Sequence, residues 1–521
     1  MKRKIKVRNA NNEAVEREIN YIPVRYILAI LISIIETILV FSVVAVLCVY
    51  IPYFYILVFF TEVFCVIKII NSNDNPDYKV PWLLFVLILP IVGFMTYFMF
   101  YSRKISKKQM NKIKTIKKNL KSKDDSNELE ILKEEDKLAY THAKLICNLA
   151  DTHLYKNTKL EYFDLGEKMF VSMLEDLKKA EKFIFMEYFI IEEGLFWNSI
   201  LEILKEKANN GVEVKLIYDD IGCMSTLPGN YYKKLKKANI QAIPFSILRG
   251  NADNEFNNRN HRKIMVIDNK IGYTGGINIA DEYINHINRF GHWKDTGIRL
   301  EGEAVSELTN LFLIDYESNR KKNSCDFSKY YLNNEISKKE NGYIIPFGDG
   351  PNPIYKNRIG KTVIINMLNQ AKDYIYITTP YLIIDNDLCL AIENTAKRGI
   401  EVKIITPHIP DKKIILAMTR TYYKRLLDAG VEIYEYNPGF IHAKSYISDD
   451  KLAMIGTINL DYRSLVHHYE NGVWIYNDNV ILSIKKDIQE TLDKSIKIEK
   501  VKENLFQRFI TSIVKIFSPL L

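Results

Sequence analysis

Two short stretches of this chain carry the same residue types at the same internal spacing. The first reads His261-Arg-Lys263-Ile-Met-Val-Ile-Asp268, followed by Gly275-Gly-Ile-Asn278; the second reads His442-Ala-Lys444-Ser-Tyr-Ile-Ser-Asp449, followed by Gly456-Thr-Ile-Asn459. In an extended strand residues i and i+2 project to one face, so each copy sends a His and a Lys into the same space. A phosphate suits that arrangement. Lys263 and Lys444, with Asn278 and Asn459, can hold its non-bridging oxygens and stabilise a pentacoordinate transition state with no metal or other cofactor required. One imidazole can attack phosphorus to give a phosphohistidine, while the other protonates the departing alkoxide and later takes a proton from the incoming alcohol. An ordinary histidine pKa of about 6.5 makes both forms accessible near neutral pH. A lone His-x-Lys carries no information, whereas two copies with identical spacing point to one phosphodiester-processing site. Asp268 and Asp449 count with the catalytic set by motif, although the expected task of each is to fix loop geometry.

The elements that must position these residues repeat as well. Ala180–Phe189 reads like Ala371–Tyr381, and Gly211-Val-Glu-Val-Lys-Leu-Ile217 like Gly399-Ile-Glu-Val-Lys-Ile-Ile405. Within each half, β-branched and aromatic runs (Phe183–Tyr188, Val212–Tyr218, Met265–Ile267; Tyr374–Thr378, Ile400–Thr406, Tyr446–Ser448) alternate with helical stretches such as Trp197–Asn209 and Asp387–Arg398. That order predicts an α/β fold: two repeated lobes, 156–335 and 336–500, each a mixed sheet covered by helices, packed as a pseudo-dimer with one shared site at their contact. The Asn-rich stretch Arg249–Asn260 is expected to form a loop over that site.

Ahead of the lobes the chain is apolar. Residues Val24–Ile70 and Val80–Tyr101 are long enough for two or three membrane spans, at about 25–49, 52–70 and 80–101, within an N-terminal membrane region 1–101. The 521 residues carry 72 Lys+Arg against 63 Asp+Glu, a net +9. The run Arg103–Lys123 alone holds ten basic residues and no acidic one, so the remainder is near neutral. This run opens a basic juxtamembrane linker, 102–155, suited to anionic lipid. With basic residues also crowding the N-terminus, the positive-inside bias puts both ends, and residues 102–521, on the cytoplasmic face of the plasma membrane. The segment 501–521 has apolar residues at helical spacing, as an interfacial helix would. Six scattered cysteines show no metal spacing and read as reduced thiols. Spans together with a near-neutral remainder argue against a nucleic-acid substrate. The oligomeric state is left open.

At the paired motifs the chain resembles the phospholipase D superfamily, and more narrowly bacterial cardiolipin synthases. The resemblance is carried by Asn75-Pro-Asp-Tyr-Lys-Val-Pro-Trp82, Arg259-Asn-His-Arg-Lys263, Gly275-Gly-Ile-Asn-Ile-Ala-Asp-Glu-Tyr283, Trp293-Lys-Asp-Thr296, Gly439-Phe-Ile-His-Ala-Lys444 and Gly456-Thr-Ile-Asn-Leu-Asp-Tyr-Arg-Ser464. It implies transfer of a phosphatidyl group from one phosphatidylglycerol to another, giving cardiolipin and glycerol, with His261 as nucleophile and His442 as acid/base. Hydrolysis, or transfer to another head group, is the alternative with the same chemistry. The resemblance also implies that Glu470 orients the motif histidine of its half, with Asp295 in the same role in the first half. His467-His-Tyr469 departs from the family's usual Leu-Asn-Phe.

Overall fold

A computed structural model describes residues 2–9, 14–20, 24–51, 53–72, 75–97, 106–120, 127–247, 257–320, 326–331, 342–501 and 515. The first lobe holds a seven-stranded sheet in the order Thr158–Phe163, Gly297–Gly302, Ile271–Gly275, Lys263–Ile267, Phe183–Tyr188, Glu213–Asp219, Gln241–Phe245. The second repeats it as Tyr343–Asp349, Glu470–Tyr476, Leu452–Gly456, Ser445–Ser448, Tyr374–Thr378, Glu401–Pro407, Glu432–Tyr436, with Ser495–Ile498 added at the edge. In both lobes the fifth, sixth and seventh strands run parallel and the first five are antiparallel neighbours, a mixed sheet.

The central strands Phe183–Tyr188 and Tyr374–Thr378 are buried along their whole length, as strands covered on both faces must be. Their side chains alternate. Phe183 and Phe185 enter the core shared by the two lobes, while Ile184, Met186 and Tyr188 enter a second core on the far side of the first sheet. Helix Val305–Ser318 runs through the shared core, and Phe312 stacks on Phe185 with ring centroids 4.5 Å apart. The lobes therefore share a hydrophobic interior and cannot hinge freely at the site between them.

The apolar N-terminal region holds, among the described residues, four helices: α1 (Val24–Tyr50), α2 (Phe54–Ile70), α3 (Pro76–Ile88) and α4 (Pro90–Thr96). Among the described residues one window, Ile30–Leu47 in α1, is long and apolar enough to cross a membrane, with mean hydropathy 2.8 and none of it buried. The stretch 80–101 was expected to be a single span, and its described part is not one helix. Leu89 leaves helical geometry before Pro90, whose ring cannot continue the preceding hydrogen-bond ladder. The chain then folds back. The rings of Trp82 and Tyr97 lie 5.8 Å apart, whereas fifteen residues of straight helix would separate them by about 22 Å. Gly93 permits the turn to close, since a Cβ there would strike the backbone of Phe85 and Val86.

Strands Lys2–Asn9 and Ala14–Asn20 form an antiparallel hairpin that adds to Ile287–Asn288 of the first lobe. Of the basic run, helix Lys107–Asn119 is described; it buries Ile113 and Ile116 against the catalytic body. The segment 501–521, apart from Val501 and Lys515, and residues 249–256 of the expected loop lie outside the described residues.

Candidate active site

The site forms where the lobes cross. Strand His292–Lys294 of the first lobe runs parallel to Gly439–Ile441 of the second, and His442 N donates to Lys294 O at 2.7 Å. In the mirror arrangement Asn260 bridges Tyr469, with His261 N donating to Tyr469 O and Tyr469 N to Arg259 O, both at 2.9 Å. The next residue beyond each crossing, Asp295 or Glu470, thus lands beside the histidine of the other lobe.

His261 Nδ1 lies 2.9 and 3.0 Å from the two carboxylate oxygens of Glu470, and His442 Nδ1 lies 2.6 Å from Asp295 Oδ2. This corrects the expected pairing, in which each carboxylate served its own half. Chain distance misleads here because the segment carrying each carboxylate stays in its own lobe but meets the motif segment of the other lobe at the crossing. All four residues are buried. Glu470 also accepts from Ser464 Oγ at 2.7 Å and from Thr457 Oγ1.

Burial pushes the His261 imidazole down to about 3 and His442 down to about 4, so both rings are neutral at pH 7. Burial opposes ionisation of Glu470, yet the His261 ring, its hydrogen bond and the nearby His468 ring hold its carboxyl below the ordinary range. A carboxylate accepts only, so His261 donates from Nδ1 and its Nε2 keeps a free lone pair. Lys263 and Lys444 are buried beside the rings, and each ammonium donates to the carbonyl of its own motif histidine, Lys263 at 2.6 Å. Burial lowers both: Lys263 well below its usual value, Lys444 down to about 8. Arg262, between His261 and Lys263, points the opposite way into the lobe contact, pairing with Asp315 at 2.7 Å and donating to Glu470 O at 3.0 Å.

His261, His442, Asn278 and Asn459 line one cavity of about 350 Å³, a size in the range of ligand clefts. The two asparagines differ. Asn278 is engaged, accepting from Ile190 N at 3.0 Å and donating to Tyr283 OH at 2.8 Å. Asn459 Oδ1 is buried with no hydrogen-bond partner among the described residues.

Asp268 and Asp449, counted with the catalytic set by motif, are not among the cavity-lining residues and sit where they fix loop geometry. Asp268 accepts from the backbone N–H of Glu181, Lys182 and Phe183 at 2.7–2.8 Å, and Asp449 from those of Lys372, Asp373 and Tyr374 at 2.9–3.0 Å. Each fastens the turn after its motif strand to the start of the central strand, with φ +54 in both copies.

Several site residues escaped sequence reasoning. Tyr283 places its ring 5.5 Å from His442, and Tyr381 donates to Asp411 at 2.7 Å across the cavity wall. His468, noticed only as a departure, lies 5.5 Å ring to ring from His261. Its position in that unusual tripeptide was the available signal. His261, His468 and Glu470 bring ligand atoms within 4.8 Å of one another, a set with the geometry to hold a metal ion, although an ion there would compete for the His261 ring.

Residues 173–297 and 364–492 both match the family model "Cardiolipin synthase, PLD-like domain", and 63–100 match "Phospholipase_D-nuclease N-terminal". A cardiolipin synthase of Halalkalibacterium halodurans is 32% identical over 478 residues, covering 90% of this chain and 94% of its own. An uncharacterized protein of Streptococcus mutans is 43% identical over 468 residues, 88% of this chain and 99% of its own. The crystal structure of a phosphatidylserine synthase from Haemophilus influenzae superposes with a TM-score of 0.55 at 16% identity, over 73% of this chain and 98% of that one, a likeness of fold alone. Matched in both halves and aligned with a cardiolipin synthase over nine-tenths of its length, the chain belongs to the cardiolipin synthase family of phospholipase D-like proteins.

Proposed function

We propose that the protein is a phosphatidyltransferase that joins two phosphatidylglycerol molecules into cardiolipin and glycerol. The carrying observation is the pair of neutral imidazoles in one cavity, each held through Nδ1 by a carboxylate from the opposite lobe. In the first step His261 Nε2 attacks phosphorus and the bond to the head-group glycerol oxygen breaks. His442 supplies the proton to that oxygen, its charged form favoured once a phosphodiester anion sits against the ring. In the second step His442, now neutral, takes the hydroxyl proton of the acceptor, whose oxygen displaces His261 from phosphorus. Lys263, Lys444 and Asn459 supply the positive charge and the amide for the non-bridging oxygens. Asp295 and Glu470 orient the rings and stabilise their charged forms.

The membrane arrangement follows the same reading. The hairpin Lys2–Asn20 rests on the first lobe, so the chain leaves for the membrane and returns on the lobes' side, which favours α1 and α2 as a pair of crossings and α3–α4 as a folded-back element. Both ends of the membrane segment then share the catalytic side, the cytoplasm by charge. A cysteine placed at Tyr53, between α1 and α2, is expected to react with an impermeant thiol reagent from outside the cell; labelling only after lysis would contradict this topology.

The chemical reading is tested by mixing purified protein with phosphatidylglycerol, denaturing it rapidly, and mapping phosphatidyl adducts by peptide mass spectrometry. An adduct on His261 is expected, and none on either histidine would overturn the mechanism.

A further inference from the structure

The second step of cardiolipin formation brings two phosphates into the site, one carried on His261 and one on the acceptor lipid, and the residues above account for one. Resting on the proposed transfer reaction, we infer that Arg463 and Lys412 form a second phosphodiester subsite, which holds the acceptor lipid's phosphate. Both side chains line the same cavity as His261 and His442. Arg463 Nε is buried without a hydrogen-bond partner among the described residues, and neither cation has a carboxylate within ion-pair distance there. The third cation of the wall, Arg289, is already held by Glu282 at 3.0 Å. The wall's acids hold neither cation at ion-pair distance among the described residues. Asp411 accepts from Tyr381 OH at 2.7 Å, and Asp461 accepts from Ser464 N at 2.8 Å and feels the Arg463 charge without contacting it.

The two cations sit on one continuous wall of the second lobe. Strand Leu382–Ile383 pairs with Leu460–Asp461, which joins the segment before Arg463 to Tyr381, and Tyr381 is tied to Asp411, the neighbour of Lys412. This wall is also where the membrane segment is fastened. Asp77, in the first turn of α3, accepts from Tyr462 OH at 3.1 Å and from Asn386 N at 2.8 Å, Asn75 donates to Asp385 at 2.7 Å, and Tyr78 packs on His467 with rings 5.5 Å apart. A lipid arriving along the folded-back α3–α4 element therefore meets this wall. Its phosphate binds Arg463 and Lys412 while its terminal hydroxyl extends to the phosphohistidine. There the hydroxyl oxygen forms the new P–O bond, the P–N bond to His261 breaks, and the proton passes to His442.

The subsite separates acceptors that carry a phosphate from those that do not, and this makes it testable. Two reactions of the full-length protein in phosphatidylglycerol vesicles are compared: cardiolipin formation, and exchange of labelled free glycerol into phosphatidylglycerol, which needs the histidines but no acceptor phosphate. For Arg463→Gln and Lys412→Gln, cardiolipin formation is expected to fall on the order of tenfold or more, the loss of a charge-assisted phosphate contact, while glycerol exchange stays within about twofold. Lys412→Arg, which keeps the charge, is expected to restore cardiolipin formation. Equal loss of both reactions in both variants, or loss of neither, overturns the subsite. Absence of both reactions in the unmodified protein would instead sink the proposed transfer chemistry itself.

Discussion

Glu470→Gln isolates what the cross-lobe contact does to His261. The variant keeps the side chain's size within a site where Glu470 is fully buried and bonded to the ring at 2.9 and 3.0 Å. It removes a buried charge-assisted hydrogen bond, worth about 1.5–3 kcal/mol, or roughly 10- to 150-fold in rate. It also inverts the tautomer. An amide N–H directed at Nδ1 leaves the proton on Nε2, and the nucleophilic lone pair is lost; the corresponding change in the serine-protease triad costs about 10⁴. The combined expectation is a drop in kcat of about 10²–10⁴ with little change in KM, since the lysines and Asn459 stay in place. The assay uses a phosphatidyl ester of p-nitrophenol, a leaving group that needs no proton. With that donor Asp295→Asn, which impairs His442, should release a normal burst of nitrophenol, and Glu470→Gln should release none. The reverse pattern would make His442 the nucleophile. A Glu470→Gln enzyme within about threefold of the unmodified rate would refute orientation across the lobes altogether.

Two further outcomes follow from the same geometry. Lys444, held down to about 8 by burial, carries its charge below that pH and loses it above. The phosphate-binding cation thus disappears as pH rises, so kcat/KM for phosphatidylglycerol should show an alkaline limb with its midpoint near 8; a profile flat to pH 10 would remove Lys444 from the site. Asp268→Ala strands three backbone N–H donors and should lower stability by about 2–4 kcal/mol in thermal unfolding, while activity per folded molecule persists. Abolished activity in a fully folded variant would return Asp268 to the chemistry.

The catalytic pairs were legible because their signal is local: His and Lys two residues apart share a face of a strand whatever surrounds them, and the repeat of the flanking strands marked the copies as equivalent lobes. Asp295 and Glu470 were legible as residues and not as partners. Which histidine each serves is decided by strand crossings, at Gly439–Ile441 and at Tyr469, that join positions more than a hundred residues apart. The fold-back at Leu89-Pro90 was masked by hydropathy, which averages over a window and does not register one ring that breaks a helix. Pro90 itself was the readable sign. The paired strands Lys2–Asn9 and Ala14–Asn20 carried a readable sign as well, the alternation Lys4-Ile-Lys-Val-Arg8 ahead of an Asn-rich stretch of sequence, overshadowed by its charge.

Purified protein supplied with phosphatidylglycerol as its one lipid shows by its products whether a second lipid or water accepts the phosphatidyl group. Cardiolipin and glycerol are expected in equal amounts by lipid mass spectrometry and glycerol assay, and neither product from His261→Ala. Phosphatidic acid and glycerol without cardiolipin would make water the acceptor, and would contradict the account.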